Sequence, residues 1–162
     1  MNAIITYASW FGHNRAIAEM LTEEFATLGI SVACVPAYRV TANDLVGRDL
    51  LVLGTYTHSG HASKNLRRLC DAIPQKHLER IAVAIFGTHL AEGTDANVSD
   101  GISDLATHLA ERGCELIVPP LRIGLSREAA VHRSGGFDET EQRQIWEFAC
   151  DLHDACVPAP LI

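Results

Sequence analysis

Between the apolar run Ala3-Ile4-Ile5-Thr6-Tyr7 and a helix-like pattern carrying Ile17, Met20, Leu21, Phe25 and Leu28 stand Ser9, Trp10, Phe11, Gly12, His13 and Asn14. A helix N-terminus offers unpaired N–H groups and the positive end of its dipole, so a turn of this composition suits an anion. Ser9 and Asn14 supply side-chain donors and Gly12 allows close backbone approach, while the N–H groups of Phe11 to Asn14 are expected to point inward. Neither GxxxxGK[ST] nor GxGxxG is present, so no lysine spans a pair of phosphates and the dinucleotide fingerprint is missing. One terminal phosphate is the anion these residues suit. They also fit a plainer use, in which Ser9 or Asn14 caps the helix and Gly12 makes a turn.

The elements that would position this loop are legible as short apolar runs at Ala3–Tyr7, Val32–Val35, Leu50–Leu53, Ile81–Phe86 and Leu116–Val118, expected as strands covered on both faces. Helical patterns alternate with them: the one ending at Gly29, then Ala62, Leu66, Leu69 and Ile73 ending before Pro74, and Val98, Ile102, Leu105 and Leu109 ending before Gly113. Ile145, Phe148 and Leu152 mark a last helix. This alternation predicts α/β architecture, a three-layer doubly wound five-stranded parallel sheet of order 2-1-3-4-5. One domain over 1–157 is expected, with an irregular loop from Gly124 to Gly136 and a frayed tail at 158–162.

In such a sheet a ligand sits at the carboxyl ends of the strands where strand order reverses, which selects Ser9–Asn14, Thr55–His61 and Gly87–Asp95. Tyr56, Trp10 and His58 are the flat side chains available there. Ordinary loop packing would also account for Trp10 and Tyr56. His13, His58, His61 and His89 fall on these segments, and His58-x-x-His61 has a spacing that a metal could use. Metal centres usually recruit cysteine or carboxylate ligands as well, so no metal is expected, and the histidines read as solvated or hydrogen-bonding groups. An acidic pair after strand one and an aspartate closing strand three are both lacking, which disfavours a phosphoacceptor domain, and no GxSxG elbow is present.

Taken in order, these segments resemble the flavodoxin-like family across nearly the whole chain. Tyr7-Ala8-Ser9-Trp10-Phe11-Gly12-His13-Asn14 looks like the family's hydroxyl-rich loop for the FMN phosphate, with Asn14 where a threonine is usual. Gly54-Thr55-Tyr56-Thr57-His58-Ser59-Gly60 is similar to the second loop, in the form found in the FMN domains of flavodiiron proteins, and Pro119-Pro120-Leu121 after the fifth strand is similar to the same group. In the third loop, Phe86-Gly87-Thr88-His89-Leu90-Ala91-Glu92-Gly93 offers His89 and Leu90 where the family often places a tyrosine or tryptophan. The resemblance implies non-covalent FMN, held by Ser9, Trp10, Phe11, Gly12, His13, Asn14, Thr55, Tyr56, Thr57, His58, Gly60, Gly87, Thr88, His89, Leu90 and Gly93, with no catalytic residue. It implies an electron carrier between redox partner proteins. The family also includes FMN-dependent reductases of quinone or porphyrinogen-like substrates. A binding or scaffold domain that has lost FMN is the reading favoured by the absent third-loop aromatic. Glu92, Asp95, Asp100 and Asp104 would lower the flavin potential by disfavouring an anionic reduced form.

Composition limits the alternatives. The 162 residues suit a single core, and no apolar run approaches the roughly 20 residues that cross a bilayer. A net charge of −7 disfavours nucleic acid and anionic membrane as partners. Cys34, Cys70, Cys114, Cys150 and Cys156 are widely spaced with no CxxC, which argues against a disulfide framework, and most are expected as small buried apolar residues. The start lacks the pattern of a secretory signal, so a cytoplasmic protein is expected.

Overall fold

The first three apolar runs become strands β1 (Asn2–Tyr7), β2 (Ser31–Pro36) and β3 (Leu50–Thr55), followed by β4 (Ala82–Leu90) and β5 (Leu121–Leu125). A computed structural model describes residues 1–91, 100–131 and 136–157. The strands form one parallel sheet of order β2-β1-β3-β4-β5, as the alternating pattern predicts. The connecting helices are α1 (His13–Thr27), α2 (Lys64–Ala72), the single turn α3 (Gln75–Leu78), α4 (Gly101–Glu111), the short α5 (Arg127–Val131) and α6 (Glu139–Cys156).

Strand periodicity explains why the central strands look uniformly apolar. Successive β3 side chains point to opposite faces, and both faces are covered. Leu50 and Val52 join Ile17, Leu21 and Phe25 of α1 and Ile145, Phe148 and Leu152 of α6 in one core. Leu51 and Leu53 join Leu66 and Leu69 of α2 and Ile102, Leu105 and Leu109 of α4 in the other. At about 25 cal/mol per Å² of apolar surface, each of these fully buried leucines and isoleucines contributes roughly 1.5–3 kcal/mol.

The fifth strand departs from expectation. The apolar run Leu116-Ile117-Val118 lies before it, linked to β4 by the Ile117 N–H donating to the Val83 carbonyl at 3.0 Å. Pro119 and Pro120 carry no N–H, so the ladder resumes only at Leu121, which pairs with Phe86. Pro119-Pro120-Leu121 therefore leads into the strand instead of following it. As an edge strand β5 alternates, with Leu121, Ile123 and Leu125 buried and Arg122 and Gly124 exposed, a pattern that a search for continuous apolar runs passes over. Its pairing extends β4 to Leu90, so Gly87 to Leu90 are strand rather than loop. The loop expected from Gly124 to Gly136 starts inside β5 and contains α5, while 132–135 lie outside the described residues. The tail at 158–162 and Val98 also fall outside them. Among the described residues no helix is long and apolar enough to cross a membrane.

Candidate functional site

The chain leaves β1 for α1 at the point where the sheet order reverses, between β1 and β3, so the loop Ala8–Gly12 lies at the switch. The Ala8 N–H donates to the Gly54 carbonyl at 2.8 Å and prolongs the β1–β3 pairing. Ser9 Oγ accepts from the Gly12 N–H at 3.1 Å, and Gly12 takes φ 87°, a left-handed conformation that suits glycine. The Ala16 N–H donates to the Gly12 carbonyl at 2.9 Å, closing the first turn of α1. No side chain caps that helix. The N–H groups of His13, Asn14 and Arg15 therefore have no partner among the described residues. The plainer reading of Ser9 or Asn14 as a helix cap is not what the backbone does.

Asn14 and His13 are held by the protein instead. Asn14 is 1% exposed, and its Nδ2 donates to the Ala8 carbonyl at 3.0 Å, pinning the loop from within. His13 Nε2–H donates to the Ala129 carbonyl of α5 at 2.7 Å, tying the start of α1 to the segment after β5. Asn14 Oδ1 and His13 Nδ1 are buried without a described partner. Trp10 and Phe11 project outward. The indole of Trp10 lies 4.8 Å from the Tyr56 ring, tilted by 33°, and 4.8 Å from the His58 ring at 61°, so the two loops meet through their aromatic side chains.

The second loop is braced from α4. Thr55 Oγ1 donates to the Tyr56 carbonyl at 2.9 Å and accepts from the Ser63 N–H at 3.1 Å. Thr57 Oγ1 accepts from the Gly101 N–H at 2.9 Å, and Asp104 Oδ2 accepts from the Ala62 N–H at 2.9 Å. His58 and His61 exchange backbone hydrogen bonds across a tight turn in which Ser59 and Gly60 both have positive φ, 50° and 77°. Their rings diverge in partner: His58 packs on Trp10, and His61 Nδ1 faces Asp104 Oδ1 at 3.7 Å. Among the described residues no group of three or more His, Cys, Asp and Glu side chains is placed to hold a metal. Asp100 is not a free negative charge: it caps α4 by accepting from the Ser103 N–H at 2.7 Å and pairs with Arg122. Asp104 likewise faces Arg67 Nη1 at 3.7 Å.

The third segment divides. Gly87 is a packing residue, since a Cβ there would fall 2.4 Å from the Thr55 carbonyl oxygen and 2.7 Å from Ile102 Cγ1. Thr88 is buried, His89 Nδ1–H donates to the Leu90 carbonyl at 3.2 Å, and Leu90 is exposed. Glu92, Gly93 and Asp95 lie outside the described residues. The sequence reading missed Gly101 and Asp104 as braces of the second loop. A faint signal existed in Asp100-Gly101-Ile102-Ser103-Asp104, a helix start placed where the third loop must end.

The flavodoxin family model matches residues 5–142, and the chain belongs to that family. The family's cofactor is FMN, and this chain is an FMN-binding flavodoxin-like protein. No curated protein matches the sequence. Among solved structures, oxidised flavodoxin 2 from Bacillus cereus is 25% identical, with 93% of this chain and 97% of that one covered and a TM-score of 0.68. Oxidised flavodoxin 1 from the same organism is 18% identical over 93% and 96%, with a TM-score of 0.69. Rubredoxin:oxygen oxidoreductase from Desulfovibrio gigas is 16% identical with a TM-score of 0.73; the match takes 96% of this chain but 36% of that one. The open N–H groups of α1 beside an aromatic cluster fit a ligand with one phosphate and one flat ring system.

Proposed function

We propose that the chain carries electrons between redox proteins in the cytoplasm, with FMN as the redox group. FMN, when bound, accepts and releases electrons, and the protein supplies orientation and tuning. In this reading the phosphate rests on the N–H groups of His13, Asn14 and Arg15 with the Ser9 hydroxyl beside it, and the ring lies against Trp10, Tyr56 and His58. The observation that carries the reading is the uncapped first turn of α1 next to those three rings.

Trp10 and Tyr56 stand 4.8 Å apart, whereas a ring sandwiched between them would need about 7 Å, two carbon contact distances. The flavin therefore either lies on the outer face of this cluster or parts it by swinging the exposed Trp10 side chain. Backbone groups of Thr57-His58 and of His89-Leu90 are the candidates for the ring's polar edge. Electron exchange needs only a partner close to the exposed ring edge, and no proton donor or nucleophile has to be assigned.

The test is turnover. The FMN-loaded protein, reduced by an NADPH-dependent flavodoxin reductase, is expected to pass electrons to cytochrome c in proportion to its concentration. A protein that holds FMN yet gives no reduction of cytochrome c above the reductase alone would contradict the carrier role.

A further inference from the structure

The helices of this fold start beside the carboxyl ends of the strands, and their first turns differ in charge. α4 opens on Asp100 with Asp104 behind it, and α6 opens on Asp138 with Glu139 and Glu141, carboxylates that suit the positive end of a helix dipole. α2 does the reverse. No side chain caps it, its first turn holds no acid, and Lys64, Arg67 and Arg68 fall within its first five residues. Arg67 faces Asp104 Oδ2 at 3.7 Å, whereas Lys64 and Arg68 are exposed and neither has a carboxylate partner among the described residues. They also stand four residues apart on one side of the helix, a like-charge spacing that disfavours it. Helix stability therefore does not account for these two charges.

We propose that the Lys64–Arg68 side of α2 is the docking face for an acidic redox protein, which it seats beside the flavin. As a face for a redox partner it rests on the electron-carrier reading above. Its place in the fold suits that use. The second loop, with Tyr56 and His58, runs directly into α2, and the Ser63 N–H just before Lys64 donates to Thr55 Oγ1 at 3.1 Å, which fixes the helix start against the end of β3. A protein held by Lys64 and Arg68 thus adjoins the loop assigned to the ring. Charge on the other side of the sheet orients it. Glu24 of α1 and Glu147, Asp151 and Asp154 of α6 gather around Cys150, where their negative field joins with burial to raise its thiol, so that layer repels an acidic protein. Charges act over only about 8 Å at physiological salt, so a close partner responds to the cations on α2 and not to the net −7 of the chain. Complementary charge of this kind fixes partner choice and speeds encounter.

The probe is cytochrome b5, an acidic haem protein, titrated calorimetrically into the FMN-loaded chain at about 0.1 M salt. One cytochrome b5 per chain is expected. Lys64→Glu combined with Arg68→Glu should weaken it about tenfold or more. Lys76→Glu combined with Arg80→Glu makes the same change in net charge at exposed positions around α3, before the start of β4 and so away from the site end of the sheet, and should weaken it less than about twofold. Lys64→Glu puts an acid where the helix dipole favours one, so Tm should hold or rise and lost binding does not mean lost fold. The proposal is overturned by no binding at millimolar cytochrome b5, by binding that the first pair leaves unchanged, by equal weakening from both pairs, or by phosphatidylserine vesicles taking Lys64 and Arg68 in place of cytochrome b5. Haem reduction is read separately. Binding as expected with no electron transfer to either haem protein would fail the carrier reading and leave the docking face, while electron transfer to cytochrome c without cytochrome b5 binding would do the opposite.

Discussion

Ser9 and Asn14 read alike in the sequence, as hydroxyl and amide donors for one phosphate, yet the structure separates them. Asn14 is buried and bonded to the Ala8 carbonyl, whereas the Ser9 hydroxyl accepts from Gly12 and keeps its own proton to donate. Asn14→Ala should therefore cost about 1–3 kcal/mol of stability by removing a buried side chain's bond to the half-buried Ala8 carbonyl, read as a lower urea midpoint. Ser9→Ala should leave that midpoint nearly unmoved and weaken FMN by about 1–2 kcal/mol, read by fluorescence titration. Gly87 shows the opposite change of role. Placed among the FMN contacts by family resemblance, it sits where β3, β4 and α4 meet, and Gly87→Ala should destabilise by about 3 kcal/mol, because the atom it meets is backbone and cannot move aside. Residue identity showed which positions matter, but whether a side chain faces ligand or protein depends on packing across the sheet, which no local pattern encodes.

At the scale of elements, periodicity recovered what burial dictates. β1, β3 and most of β4 are apolar on both faces because helices cover both, and their strand order followed from the alternation of strand and helix. The edge strand escaped notice because only one of its faces is buried and Pro119-Pro120 delay its ladder. That misplacement mattered for the site, since β5 draws Gly87 to Leu90 into the sheet and leaves the third loop to begin at Ala91. The helix ends carry their own energetics. Asp138 accepts from the Glu141 N–H at 2.8 Å and Glu141 returns the bond to the Asp138 N–H at 3.3 Å, a reciprocal cap on α6. Asp138→Ala should cost about 1 kcal/mol, a fall of roughly 2–4 °C in Tm for a chain of this size.

For the whole molecule, thiol burial contributes to the loss of stability at alkaline pH. Burial pushes the Cys70 thiol up to about 12, and burial likewise raises Cys34, Cys114 and Cys156. A raised thiol keeps its proton in the folded state while the unfolded chain releases its own, so this stability is present below the ordinary thiol value of 9.0 and is lost as pH rises toward 12. The urea midpoint should fall from pH 9 upward, less steeply in Cys70→Ala. Charge at this scale read correctly as acidic but gave no hint that Arg15 and Tyr38 face each other beside the cofactor loop, because β1, α1 and the turn after β2 meet only in the fold.

The measurement that tests the account most directly is a titration of the cofactor-free protein with FMN, following flavin fluorescence with the fold monitored by circular dichroism. The account predicts quenching that saturates at one FMN per chain at micromolar concentrations, weakened by Trp10→Ala and by Ser9→Ala without loss of fold. Unquenched FMN in the presence of a folded chain would contradict it, and would mean that the open first turn of α1 and the Trp10–Tyr56–His58 cluster do not make a flavin site.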